Sequence, residues 1–127
     1  MADELSRIRN YEKLGNHHMK AAHRALKQFQ LANSPNLKFR DAVTLWSKAG
    51  DCFLVAGEFE DAARAFRYCG EYCYHTISRE RATVEAALYY LRSAEATRRV
   101  DGPAALDAYR RASAIFYDAG RCRLYDR

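Results

Sequence analysis

Apolar residues recur along this chain at the spacing of a helix face. From Ala42 they fall at Ala42, Leu45, Trp46, Ala49, Phe53 and Ala56, offsets of 3, 4, 7, 11 and 14 that place them on one stripe. Gly57 is positioned to close that helix in a left-handed cap, and a second stripe starts at once with Phe59, Ala62, Ala63, Phe66, Cys69 and Cys73. Two helices joined by so short a turn pack antiparallel. The layout then recurs. A helix is predicted over Arg81–Arg99, with Ala86, Ala87, Tyr90 and Ala94 on its inner face. Asp101-Gly102-Pro103 makes the turn, with Pro103 at the first helical position. The returning stripe is Ala105, Ala108, Tyr109, Ala112, Ile115 and Phe116, ended by Gly120. Overlaying the two returning helices sets Ala62 on Ala105, Ala65 on Ala108, Phe66 on Tyr109 and Cys69 on Ala112, always 43 residues apart, which marks an internal repeat.

Within the first hairpin, large Trp46, Phe53 and Phe66 alternate with small Gly50, Ala62 and Cys69, the spacing of the tetratricopeptide pattern. Small residues let the helices of a hairpin approach while the aromatics fill the gap to the next. The expected fold is all-α: tetratricopeptide-like antiparallel hairpins forming a right-handed solenoid sheet. Upstream, residues 3–14 read as a helix that stops at Gly15-Asn16, and Met19, Ala22, Leu26 and Phe29 as a second one that Asn33-Ser34-Pro35-Asn36 breaks. The division expected is a 1–36 helical segment with an apolar loop, then hairpin repeats over 37–127. Arg121–Arg127 reads as the opening turn of a helix that does not follow, so the repeat array is expected to stop mid-pattern, as the front of a longer protein or with a partner covering its end.

Composition narrows the picture. The 127 residues suit one domain, and 49% hydrophobic with 29% charged residues, six Gly and two Pro, describes a folded, helix-rich chain. No apolar run approaches the roughly 20 residues of a membrane helix, and Met1–Asn10 lacks a signal-peptide core, so a soluble, cytoplasmic protein is expected. Cys52, Cys69, Cys73 and Cys122 lack CxxC spacing and read as reduced thiols, mostly core filler. Cys69, Cys73 and His75 lack a second ligand pair, and adjacent His17 and His18 diverge by about 100° on a helix, so no metal is expected. No nucleophile–base pair or phosphate-cradling loop is found, and single glycines are assigned to turns. Glu58, Glu60 and Asp61 are explained by the positive end of a helix dipole. No cofactor and no enzymatic chemistry is expected.

The net charge of +5 points to an acidic partner. From residue 98 to 127, Arg98, Arg99, Arg110, Arg111, Arg121, Arg123 and Arg127 outnumber Asp101, Asp107, Asp118 and Asp126. Arginine holds carboxylates and phosphates through paired hydrogen bonds, so this half is expected to face the partner. Single-stranded nucleic acid is a poor candidate, because most Tyr and Phe lie in core stripes and few remain to stack on bases.

The stretches Lys38–Phe66 (KFRDAVTLWSKAGDCFLVAGEFEDAARAF) and Asp101–Arg121 (DGPAALDAYRRASAIFYDAGR) resemble the soluble NSF attachment protein (SNAP) family. The second carries an Asp–Pro turn, an Arg-Ala step, an Ile-aromatic pair and a closing Asp-x-Gly-Arg like the family's. The resemblance runs from about Lys38 to the end; residues 1–36 match only in being helical. It implies an adaptor in vesicle trafficking whose basic concave face binds the acidic helical bundle of a SNARE complex, for recruitment of an NSF-type ATPase through C-terminal regions beyond this chain. The family's SNARE-facing cations fall on Arg98, Arg99, Arg121 and Arg127, and another family lysine falls on Gly57. The family's membrane-touching apolar loop corresponds to Phe29–Leu37, with Phe29, Leu31 and Leu37 as contact candidates; the alternative is that these pack into the first hairpin. Beside this stands an unrelated tetratricopeptide-type adaptor that takes a peptide or helix in its groove.

Overall fold

The computed structural model describes residues 2–30, 35–76 and 80–125, all of them helix or the short turns between helices. Five helices follow in order: α1 (Ala2–Gln30), α2 (Pro35–Ala56), α3 (Phe59–Thr76), α4 (Glu80–Arg98) and α5 (Gly102–Tyr125). Each packs chiefly on its neighbours in sequence. The fold is the tetratricopeptide-like stack of helical hairpins that the apolar stripes predict. Contacts between alternate helices define the layers: Arg92 of α4 reaches Asp51 of α2, and His23 of α1 meets Tyr68 of α3.

Consecutive helices interlock through glycine. A Cβ on Gly15 of α1 would lie 2.8 Å from the Phe53 ring of α2, one on Gly50 of α2 would lie 2.6 Å from Phe66 of α3, and one on Gly70 of α3 would lie 3.0 Å from Tyr90 of α4. Each aromatic ring thus rests in a notch made by a missing side chain, and the rings of Phe53 and Phe66 are fully buried there. Around them, alanines such as Ala49, Ala62, Ala65 and Ala96 complete the close approach. Full burial of each ring stabilises by roughly 1.5–3 kcal/mol. Trp46, also fully buried, sits among the rings of His23, Tyr68 and Tyr72 at 6.0, 5.4 and 4.8 Å. Its indole N–H has no hydrogen-bond partner among the described residues.

The helices correct three readings of the sequence. Gly15-Asn16 does not end a helix: α1 is continuous from Ala2 to Gln30, because Gly15 is the seat for Phe53 and not a breaker. Single glycines are not confined to turns, since Gly15, Gly50, Gly70 and Gly120 all lie within helices. Gly120 does not close α5, and residues 121–125 continue that helix instead of opening another.

The two predicted turns form as their residues dictate. Gly57 has φ 78°, and the Glu58 and Gly57 N–H groups donate to the Phe53 and Leu54 carbonyls at 2.8 and 3.1 Å, the paired bonds of a left-handed helix cap. Asp101 accepts a hydrogen bond from the Ala104 N–H at 3.2 Å and so caps α5, which makes Gly102 the first helical residue and Pro103 the second. Pro103 is tolerated there because first-turn N–H groups have no partner within the helix. In the repeat, Ala62, Ala65, Phe66 and Cys69 are fully buried, and so nearly are Ala105 and Ala112, whereas Ala108 and Tyr109 are half-buried. Cys69 and Cys73 are core thiols as predicted, Cys69 donating to the Val43 carbonyl at 3.4 Å.

Two outcomes follow from this packing. Gly50→Ala drives a methyl into the Phe66 ring and should lower stability by about 1–3 kcal/mol. Gly120→Ala meets nothing within 4 Å and should be neutral or stabilise by up to about 1 kcal/mol, both read from urea denaturation. Burial, with a smaller contribution from Glu85, pushes the Cys73 thiol from an ordinary 9.0 up to about 11. Above pH 9 the unfolded chain therefore releases this proton before the folded one does. The stabilisation, full below pH 9, should be lost as pH rises from 9 through 11, and Cys73→Ala should remove that part of the decline.

Candidate functional site

The arginine-rich half is carried by α4 and α5. Arg98 closes the last turn of α4, where the helix dipole favours a cation, and Arg99 follows in the turn; both are exposed. The Arg99 guanidinium lies over the ring of Phe59, 4.9 Å from its centre, which holds it beside the first turn of α3. Arg121 lies near the other end of α5. Nineteen residues separate it from Gly102, about 28 Å of helix. The four predicted partner-binding arginines are thus not one patch: Arg98 and Arg99 stand at the α2–α3 turn end, and Arg121 sits at the far end. The side chain of Arg121 and the whole of Arg127 lie outside the described residues.

Between them, Arg110 pairs loosely with Asp107 at 3.8 Å on the α5 surface, and Arg111 lies over Tyr90, 5.4 Å from the ring centre. Arg92 was not singled out from the sequence. It hydrogen-bonds Asp51 of α2 at 2.6 Å while its guanidinium covers the Phe66 ring at 4.2 Å. An ion pair 41 residues apart leaves no local spacing signal. Both groups are about half exposed, so the pair adds little to stability, though it fixes α4 against α2.

Gly57, where the resemblance sets a family lysine, occupies the left-handed cap of α2. A side chain in that conformation is strained, so the missing cation follows from how this turn is built. A groove of about 300 Å³ between α3 and α4 is lined by Glu60, Asp61, Arg64, Arg67, Ser93 and Thr97. Several of its groups already have partners. Arg64 pairs with Asp61, the Ser93 hydroxyl donates to the Ala63 carbonyl at 2.7 Å, and the Thr97 hydroxyl to the Ser93 carbonyl at 2.8 Å.

Phe29 lies in the last turn of α1 and Leu37 in the first turn of α2, with four residues between these helices. Leu31 and the side chains of Phe29 and Leu37 lie outside the described residues. His17 is exposed and His18 half-buried; burial, then His17 and Lys48, hold the His18 imidazole below its usual 6.5. Among the described residues, no three His, Cys, Asp or Glu side chains are placed to hold a metal, and no helix is long and apolar enough to cross a membrane.

A comparison with protein-family models matches residues 13–124 to the family described as soluble NSF attachment protein, SNAP. The match starts inside α1, well before Lys38, so the likeness is not limited to the hairpin repeats. No curated protein and no solved structure matches this chain.

Restoring the family's cation tests the account of Gly57. Gly57→Lys should lower stability by about 1 kcal/mol in urea denaturation, the strain of a side chain in a left-handed cap.

Proposed function

The chain belongs to the soluble NSF attachment protein family, and on that premise we propose that it is a trafficking adaptor that binds the acidic helical bundle of a SNARE complex and takes part in recruiting the NSF ATPase. Members of this family are adaptors and not enzymes. The observation that carries the reading is the disposition of Arg98 and Arg99 at one end of the α4–α5 hairpin and of Arg121 about 28 Å along α5. Cations spaced along a helix in this way suit a rod-like acidic partner lying along the hairpin. A compact ligand would span only one pair. In the groove between α3 and α4, the Arg64–Asp61 pair and the Ser93 and Thr97 hydroxyls are already engaged, which leaves fewer groups for a peptide there.

The test uses two charge-reversal pairs, Arg98→Glu/Arg99→Glu and Arg121→Glu/Arg127→Glu. Each pair should weaken binding to a soluble SNARE four-helix bundle by on the order of tenfold or more, and added salt should weaken it further. A short acidic peptide should respond to one pair alone. Binding of the bundle that ignores both pairs, or capture of chaperones in place of SNAREs, would overturn the reading in favour of an unrelated helical-repeat adaptor.

A further inference from the structure

A second charged surface lies on α1, away from the arginines of α4 and α5. Arg9, Lys13, His17, Lys20, Arg24 and Lys27 follow one another in steps of four, four, three, four and three residues. That spacing keeps them on one helix face. All six are exposed, while Gly15, Met19 and Ala22 turn the other side of the helix to its neighbours. The row covers about 27 Å of helix. No carboxylate interrupts it. Asp3 and Glu4 precede the row, and Glu12 is half-buried. None of the ion pairs among the described residues includes any of the six.

Like charges three and four residues apart oppose helix formation, so this row works against the stability of the helix that carries it. An external counter-charge removes that conflict. We propose that the α1 ridge is a landing surface for the anionic phosphates of a lipid bilayer. Its form selects the partner. The row is straight and lies on the outer side of the first helix, with no Phe, Tyr or Trp in it. Protein interfaces draw their energy from buried aromatic and arginine anchors in pockets and are poor in lysine. An anionic leaflet attracts lysines and arginines near its surface without burying them. The inference does not rest on SNARE binding, because it uses no residue assigned to that role.

Flotation of the whole chain with phosphatidylcholine vesicles, with and without phosphatidylserine, tests it. The chain should bind only the phosphatidylserine vesicles and should be released by salt. Lys13→Gln/Lys20→Gln/Arg24→Gln should weaken binding about a hundredfold, at about fivefold per cation. Arg64→Gln/Arg67→Gln/Arg110→Gln removes equal charge from other helices and should weaken it a few-fold at most. Lys13→Arg/Lys20→Arg should bind as the unaltered chain does, which separates loss of charge from loss of helix. The proposal is overturned if the unaltered chain ignores phosphatidylserine, or if both triple variants lose binding equally. It is also overturned if the ridge triple loses binding to an oligonucleotide or an acidic protein while vesicles bind none of the proteins.

Discussion

The fold depends on an aromatic ring seated against a glycine at three successive helix pairs: Phe53 on Gly15, Phe66 on Gly50 and Tyr90 on Gly70. Glycine is a poor helix former, costing roughly 1 kcal/mol against alanine in a helix interior. Its use inside α1, α2 and α3 is therefore explained by what it admits. A ring pressed onto bare backbone brings two helix axes close and fixes their register along the axis, since a slide of one turn would drive the ring into a side chain. The alanines around the notches are consequences of that closeness. The Trp46 cluster then fills the wider space where α1, α2 and α3 meet.

Charge is laid over this scaffold in two separate systems. One runs along α4 and α5, where arginines stack on Phe66, Phe59 and Tyr90 and so are held by the same aromatics that build the core. The other runs along α1, where lysines and arginines stand free of carboxylates. In the first, the core constrains where the guanidinium groups point. In the second, helix periodicity alone aligns the ammonium groups. The net charge of +5 is thus the sum of two distributions of different rigidity.

Much of this was legible in the sequence because it is local. The stripes from Ala42 to Ile115 appear as largely buried faces, although Phe116, read as the end of the last stripe, is exposed; Gly57 takes the left-handed conformation expected of it, and Asp101 caps the helix its turn introduces. Gly15 was misread because its meaning lies in Phe53, 38 residues away, and a glycine beside an asparagine looks like a break until its partner is known. Gly120 was misread for the opposite reason: it meets nothing, and α5 passes through it. The partner-binding arginines were grouped by nearness in sequence, which says nothing of the length of helix between them. The α1 ridge could have been found from its three-and-four spacing. A count of cations by segment hides it, and a count by helix face shows it.

The contact between Arg92 and Asp51 has a mechanical side. Each of the first three helix pairs is keyed by a ring in a notch, which resists sliding but allows the pair to rock about the ring. The Arg92–Asp51 bridge spans from α2 to α4 past the helix between them, and so acts as a tie across two such pivots. In a stack, small rotations at successive pivots add, so the far end swings through an arc set by their sum. One exposed and readily hydrated tie, placed between two pivots, resists such rotations across the stack.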